Sequence, residues 1–292
     1  MANVKKKVQL CAQITWWQRY DLAVELPKLS GVRGKISRAK HHFADINAAL
    51  KVLLSGEPNV HTPAVVKFDR ERKHLIVNHA ECSPIDPTLP LMIGDCIHNL
   101  RSALDHLVYR LALENGAALT AAKKTFFPIY LKKTQFDQRV EKLVKPFVGA
   151  SELAEIEKCQ PYSAYDVPEE ADIWILSQLD IIDKHRLLVV AGQQFAATAF
   201  TLTLPTGEQI EEVISEPKWR PLEDGAEILR FDLSQAINTP NKVRVRIQMA
   251  TTVQFVETGL ACDGAIVQEA LAQCIGIVAA IVRDFGKQFF GE

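Results

Sequence analysis

Residues 90–115, PLMIGDCIHNLRSALDHLVYRLALEN, constrain the fold more than any other stretch of the chain. Ile93, Cys96, Ile97, Leu100, Leu104, Leu107, Val108 and Leu111 recur at intervals of three and four. At about 100° per residue they line one side of a helix. With His98 at zero, Tyr109, Ser102, Asp95, His106 and Asn99 spread over roughly 20° to 100°, with Asp105 near 340° and Arg101 near 300°. The helix is therefore two-faced. Its apolar stripe requires other helices to cover it, and Asn115-Gly116 supplies a stop.

Three further segments have the pattern to provide that cover. "VRGKISRAKHHFADINAALKVLLSG" predicts a helix over 32–54, with Ile36, Phe43, Ile46, Leu50, Leu53 and Leu54 on one side and Gly56 and Pro58 beyond its end. "EEADIWILSQLDIIDKHRLLVVA" predicts another over 169–191, and "CDGAIVQEALAQCIGIVAAIVRDFGKQFF" a last one over 262–290. Two shorter helices are expected in "TQFDQRVEKLVKPF" and "ASELAEIEKC", an extended piece in "TFFPIYL" and a loop in "QPYSAYDVP". "AVVKFDRERKHLIVNHAE" (64–81) reads as a β-hairpin, and the β-branched runs between 195 and 257 as a small antiparallel sheet. The expected class is α+β: mainly an α-helical bundle of about four long helices, carrying the hairpin and the sheet. The corresponding division is an N-terminal segment 1–27, a bundle region 28–194, a sheet insertion 195–257 and a closing helix 258–292.

Composition narrows the function classes. A net charge of −1 is wrong for a protein that coats nucleic acid, although it leaves room for one basic cleft. The six cysteines, Cys11, Cys82, Cys96, Cys159, Cys262 and Cys274, form no CxxC pair, and reduced thiols in a cytoplasmic protein are expected. "MANVKKKVQLCAQITWWQRY" has a basic start, but the apolar run that should follow is broken by Gln9, Gln13, Gln18 and Arg19, and "CIGIVAAIV" (274–282) is too short to span a bilayer, so no membrane association is expected. There is no phosphate-binding glycine loop, no G-x-S-x-G and no H-E-x-x-H, which argues against nucleotide-driven enzymes, serine hydrolases and zincins.

The polar face of the 90–115 helix is the principal candidate site. A solvated face is usually rich in Lys and Glu, and neither occurs between 91 and 109. Instead there are short or geometrically specific hydrogen-bonding side chains. "LDIIDKHRLL" (179–188) carries Asp180, Asp183, Lys184, His185 and Arg186, and Ser177 lies one turn earlier. The two helices are expected to face each other, with Asp180 or Asp183 orienting His98 or His106 and Lys184 or Arg186 adding positive charge. The cations near that helix's C-terminus also complement its dipole. The facing histidines and carboxylates admit a metal site, although the Glu-x-x-His pairs of bundle metal centres are missing. His41-His42 reads as a surface pair, and Trp16-Trp17 and "CQPYSAY" as packing or base-stacking aromatics.

Arg101-x4-His106 resembles the R-x(4–6)-H signature of HEPN-family ribonucleases, which are helical bundles. "HNLRSALDHL" and "DKHRLL" together are also similar to a recurrent bacterial family of uncharacterised proteins. The HEPN resemblance implies a metal-independent endoribonuclease of the kind used in bacterial defence or toxin systems, with no cofactor, RNA as partner and a homodimer as the working assembly. It implies that Arg101 holds the scissile phosphate and His106 transfers a proton, with Asp105, Asn99 and His98 orienting them. Lys184, Arg186, Ser102 and Tyr109 would bind substrate, and Asp180, Asp183 and His185 would support the site. Ser102 stands where such motifs commonly carry Asn, Asp or His after the arginine. Two other readings stay open: a non-catalytic interaction protein whose polar face is a buried network, and a metal-dependent hydrolase.

Overall fold

A computed structural model of the protein describes residues 27–54, 64–69, 74–79, 85–188, 190–203, 206–213, 220–221, 227–232, 244–257 and 259–292. Its long helices are α1 (Ser30–Leu54), α2 (Thr88–Glu114), α7 (Asp172–His185) and α8 (Val267–Phe285). Shorter helices α3 (Leu119–Ala122), α4 (Lys133–Leu143), α5 (Ala150–Lys158) and α6 (Pro161–Ala164) lie between α2 and α7. The strands are β1 (Ala64–Asp69), β2 (His74–His79), β3 (Val190–Thr203), β4 (Gln209–Val213), β5 (Arg220–Pro221), β6 (Glu227–Asp232) and β7 (Arg244–Phe255). The class is α+β with helices dominant, as the hydrophobic periodicity requires.

The centre of the molecule is α2. It packs on α1, α7 and α8, and α8 packs in turn on α1 and α7. Ile93, Ile97, Leu100, Leu104, Leu107, Val108 and Leu111 are fully buried. Each contributes about 1.5–3 kcal/mol of hydrophobic free energy before ordering costs are counted. From α8, Leu271, Cys274, Val278 and Val282 meet this stripe, and from α1 Val32, Ala39, Ile46 and Leu50 do. The end of α2 follows the sequence: Asn115 caps it, and Gly116 adopts φ 80°, a left-handed value that favours glycine.

Gly94 has a different role. It is buried within α2, where a Cβ would come within 2.2 Å of Asp183 Oδ1 on α7. The missing side chain lets Asp183 lie directly against the α2 backbone.

Helix α7 is shorter than the 169–191 pattern suggests. Pro168–Glu170 form a 3-10 turn and Ala171 is extended, so α7 begins at Asp172. It stops at His185, because Val190 and Ala191 pair with Phe255 and Gln254 as the first residues of β3. Strand pairing of β-branched residues overrides the helical period there. The last helix likewise starts at Val267 and not at 262. Cys262, Asp263 and Gly264 form a turn, with Gly264 at φ 81°, that carries the chain out of β7. Beyond Phe285 a π-helical turn runs from Gly286 to Phe290.

The hairpin forms in the expected place, in antiparallel register from Ala64 opposite His79 to Asp69 opposite His74. Its sheet gains a third strand from far along the chain, since β6 pairs with β2, Leu75 opposite Phe231. The second sheet is built on β3, which pairs with β7 over most of its length and also with β4 and β5.

Candidate functional site

The polar face of α2 divides into three parts, each held by a different neighbour. Arg101 and Asp105, on one flank, grip the extended segment after α3. Arg101 Nη2 donates to the Phe127 carbonyl at 2.8 Å, and the Phe127 N–H donates to Asp105 Oδ1 at 2.9 Å. Arg101 Nη1 lies 3.1 Å from the same carboxylate, in charge contact but without a hydrogen-bonding alignment. Further along the same segment, fully buried Gln160 repeats the device. Its Nε2 donates to the Pro128 carbonyl at 2.8 Å and its Oε1 accepts from the Tyr130 N–H at 3.1 Å. The "TFFPIYL" segment is extended, as expected, but it pairs with side chains in place of a neighbouring strand. Burying such a segment requires partners for its backbone groups, and these residues supply them.

The middle of the face meets α7. His98 Nδ1 is 3.3 Å from Asp180 Oδ1, and Lys184 Nζ is 2.5 Å from Asp180 Oδ2. The Asp180 carboxylate is buried, whereas His98 and Lys184 each leave about half of the side chain exposed, at 54% and 51%. The expected pairing of the two helices therefore occurs through His98 and Asp180. Asp183, seated over Gly94, is held above the usual carboxylate range, first by burial and then by the charges of Asp180 and Asp95.

The remaining flank faces α1. Asn99 donates to the Asp95 carbonyl at 2.8 Å and accepts from Lys35 Nζ at 3.4 Å. One further turn along, His106 opens into a cleft of about 520 Å3, which it lines with Asp105, Tyr109, Arg110, Lys28 and Lys123. Burial first, and then the Lys35 charge, hold the His106 imidazole below its ordinary value, against an opposing pull from Asp105. Asp105 itself is pushed upward by burial, with Arg101 and the Phe127 N–H opposing. The downward displacement favours the neutral imidazole of His106, the form that accepts a proton, and the upward displacement favours the protonated carboxyl of Asp105.

This geometry sorts the residues singled out from sequence. His106, Asp105 and Tyr109 share the cleft. His98, Asp180 and Lys184 share the α2–α7 contact, with Asp183 beside it. Arg101 is not in the cleft lining. Its side chain is 13% exposed, and its guanidinium is occupied by Phe127 and Asp105. Arg186 is likewise committed elsewhere, in a two-point contact with the buried Glu257 carboxylate at 2.6 and 3.3 Å. His185 is exposed in the last turn of α7, and Ser102 is half-buried on α2. His42 corrects the surface reading of the pair: His41 is exposed, but His42 is buried, because it falls three residues after Ala39 and four before Ile46 on the covered side of α1. Tyr162 packs edge-on against Phe136, as a packing aromatic. Trp16, Trp17, Cys11 and Cys82 lie outside the described residues. The other four cysteines are free thiols, buried or half-buried, and burial pushes Cys96 up to about 12.

Sequence reasoning missed Arg110, Lys28, Lys123 and Lys35. Arg110 carried a usable signal, since it lies four residues after His106 and hence on the same side of the helix. The three lysines come from other segments, and only folding places them beside α2. Among the described residues no group of three or more His, Cys, Asp or Glu side chains is arranged to hold a metal ion, and no helix is long and apolar enough to cross a membrane. No family model, curated protein or solved structure matches the chain.

Proposed function

We propose that the protein is a metal-independent endoribonuclease whose site is the cleft between α1 and α2. The observation that carries this reading is the presence of His106 in a cleft with three cations, Lys28, Arg110 and Lys123. An RNA backbone offers that lining a phosphate to bind and a 2′-hydroxyl to deprotonate. His106, held neutral at physiological pH, takes the 2′-hydroxyl proton. The 2′-oxygen attacks phosphorus, the bond from phosphorus to the 5′-oxygen breaks, and that oxygen takes a proton from solvent. The products are a 2′,3′-cyclic phosphate and a 5′-hydroxyl. The cleft cations offset the charge that builds on the phosphorane oxygens. Arg101 acts at one remove, holding Asp105 at the edge of the cleft. A homodimer and a defence role belong to the same proposal and rest on the HEPN resemblance alone.

A second reading is favoured by one specific contact. The Arg101 bond to the Phe127 carbonyl is what a structural network would require, with no chemistry attached. One experiment separates the two: incubation of the purified chain with a synthetic single-stranded RNA in the presence of EDTA. Cleavage is expected to persist with the chelator and to fall by roughly 10²–10⁴-fold in His106→Ala, with an unchanged melting temperature because His106 is exposed. Cleavage that is unaltered in His106→Ala rules out the ribonuclease reading of this cleft.

A further inference from the structure

The cleft contains a cation that is only half used. Arg110 Nε is buried and has no hydrogen-bond partner among the described residues. Among the described residues, the single contact of its fork with an acid is a long one, 3.5 Å from Nη2 to Glu114 Oε1. The other oxygen of Glu114 is taken by Lys28 Nζ, at 2.5 Å. One carboxylate is thus divided between two cations, and its closer contact goes to Lys28 and not to Arg110. An arginine fork is completed by an oxyanion that accepts from two of its nitrogens at once. Lys123, exposed on the same cleft, makes no ion pair among the described residues.

Glu114 is an awkward partner for two reasons. It is the last residue of α2, where the helix dipole disfavours a negative charge. It also follows Arg110 by four residues, the weaker order for an ion pair on a helix. A free oxyanion is not bound by that order along the helix and can accept from two nitrogens of the fork at once. The cleft, at about 520 Å3, is within the range of about 300–1,000 Å3 typical of small-ligand sites. Arg110 is also one turn from His106, so an anion on its fork lies beside the imidazole.

We propose that the cleft binds a phosphate group on the Arg110 fork, flanked by Lys28 and Lys123, with Glu114 as an internal competitor that the phosphate displaces. This assignment deepens the ribonuclease reading and rests on it for the identity of the ligand as RNA, but it is read by binding and not by cleavage. In that setting Arg110 takes the phosphate-holding role that the Arg101-x4-His106 spacing assigns to Arg101.

The test is calorimetric titration of the full chain, at low salt, with two probes. One is inorganic phosphate. The other is a 2′-O-methyl RNA tetranucleotide with a 5′-hydroxyl, which carries internal phosphates and cannot be cleaved through the 2′-oxygen. Binding should weaken at least tenfold in Arg110→Met and strengthen at least threefold in Glu114→Gln, a gain that misfolding does not produce. Equal affinity in wild type and Arg110→Met, or weaker binding in Glu114→Gln, overturns the assignment, as does failure of both probes to bind the wild type. Binding of inorganic phosphate alone, with the same response to both substitutions, supports the phosphate site while removing the RNA reading. RNA cleavage that persists at full rate in Arg110→Met does the reverse.

Discussion

Replacing Arg101 with alanine distinguishes a clamp from a phosphate ligand. The substitution removes a charged hydrogen bond to the buried Phe127 carbonyl and leaves the half-buried Asp105 carboxylate without its cation. The hydrogen bond contributes about 1.5–3 kcal/mol. Loss of the partly exposed charge pair adds roughly 0–1 kcal/mol. A total of about 3 kcal/mol is expected, which for a chain of this size moves the urea midpoint by roughly 1 M and the melting temperature by about 6 °C. Equilibrium urea denaturation followed by circular dichroism reads the change directly. Asp105→Asn keeps an acceptor for the Phe127 N–H while removing the charge. The cycle of single and double variants should give a coupling of about 0.5 kcal/mol or more. A midpoint unmoved in Arg101→Ala, together with lost RNA cleavage, would falsify the clamp and return Arg101 to the role of phosphate ligand.

Two further outcomes follow from the same contacts. Lys35 depresses His106, and the neutral imidazole is the active base, so Lys35→Gln should move the acid limb of kcat/KM to higher pH. Activity then falls at pH 6 relative to wild type and is unchanged at pH 8. A limb that stays in place or moves to lower pH removes Lys35 from the electrostatics of the cleft. Asp180→Ala strips the acceptor from His98 and Lys184, and is expected to cost about 1–3 kcal/mol in urea denaturation, less in Asp180→Asn. Stabilisation in Asp180→Ala would instead mean that burying this carboxylate costs more than its two partners return.

The bundle was legible because its information is local. The apolar spacing of Ile93 to Leu111 and of Ile36 to Leu50 needs nothing beyond the helical period, and both helices lie where that spacing places them. Boundaries failed where a remote partner decided them. His185 ends α7 because β7, about seventy residues onward, claims Val190 and Ala191. The pairing of β6 with the hairpin left no trace in periodicity, since Glu227–Asp232 reads equally well as a strand of either sheet. In the site, the meeting of "HNLRSALDHL" with "LDIIDKHRLL" was visible as two polar faces in need of a partner. The commitment of Arg101 was not, because its partner is a backbone carbonyl and sequence carries no mark of which carbonyl lacks a donor.

The third strand of the hairpin sheet also sets a clock for synthesis. A two-stranded hairpin forms in about 1–10 μs but is marginal alone. Leu75 and its opposite, Phe231, are separated by more than half of the chain. At roughly 5–20 residues per second, β2 leaves the ribosome roughly eight to thirty seconds before β6 does. Through that interval the edge of β2 that β6 later covers is open, and by its end α1, α2 and α7 have been made while α8 has not. The sheet therefore closes late, after three of the four long helices have been made, and the exposure of nascent chains to strand-pairing aggregation falls on the open edge of β2 around Leu75.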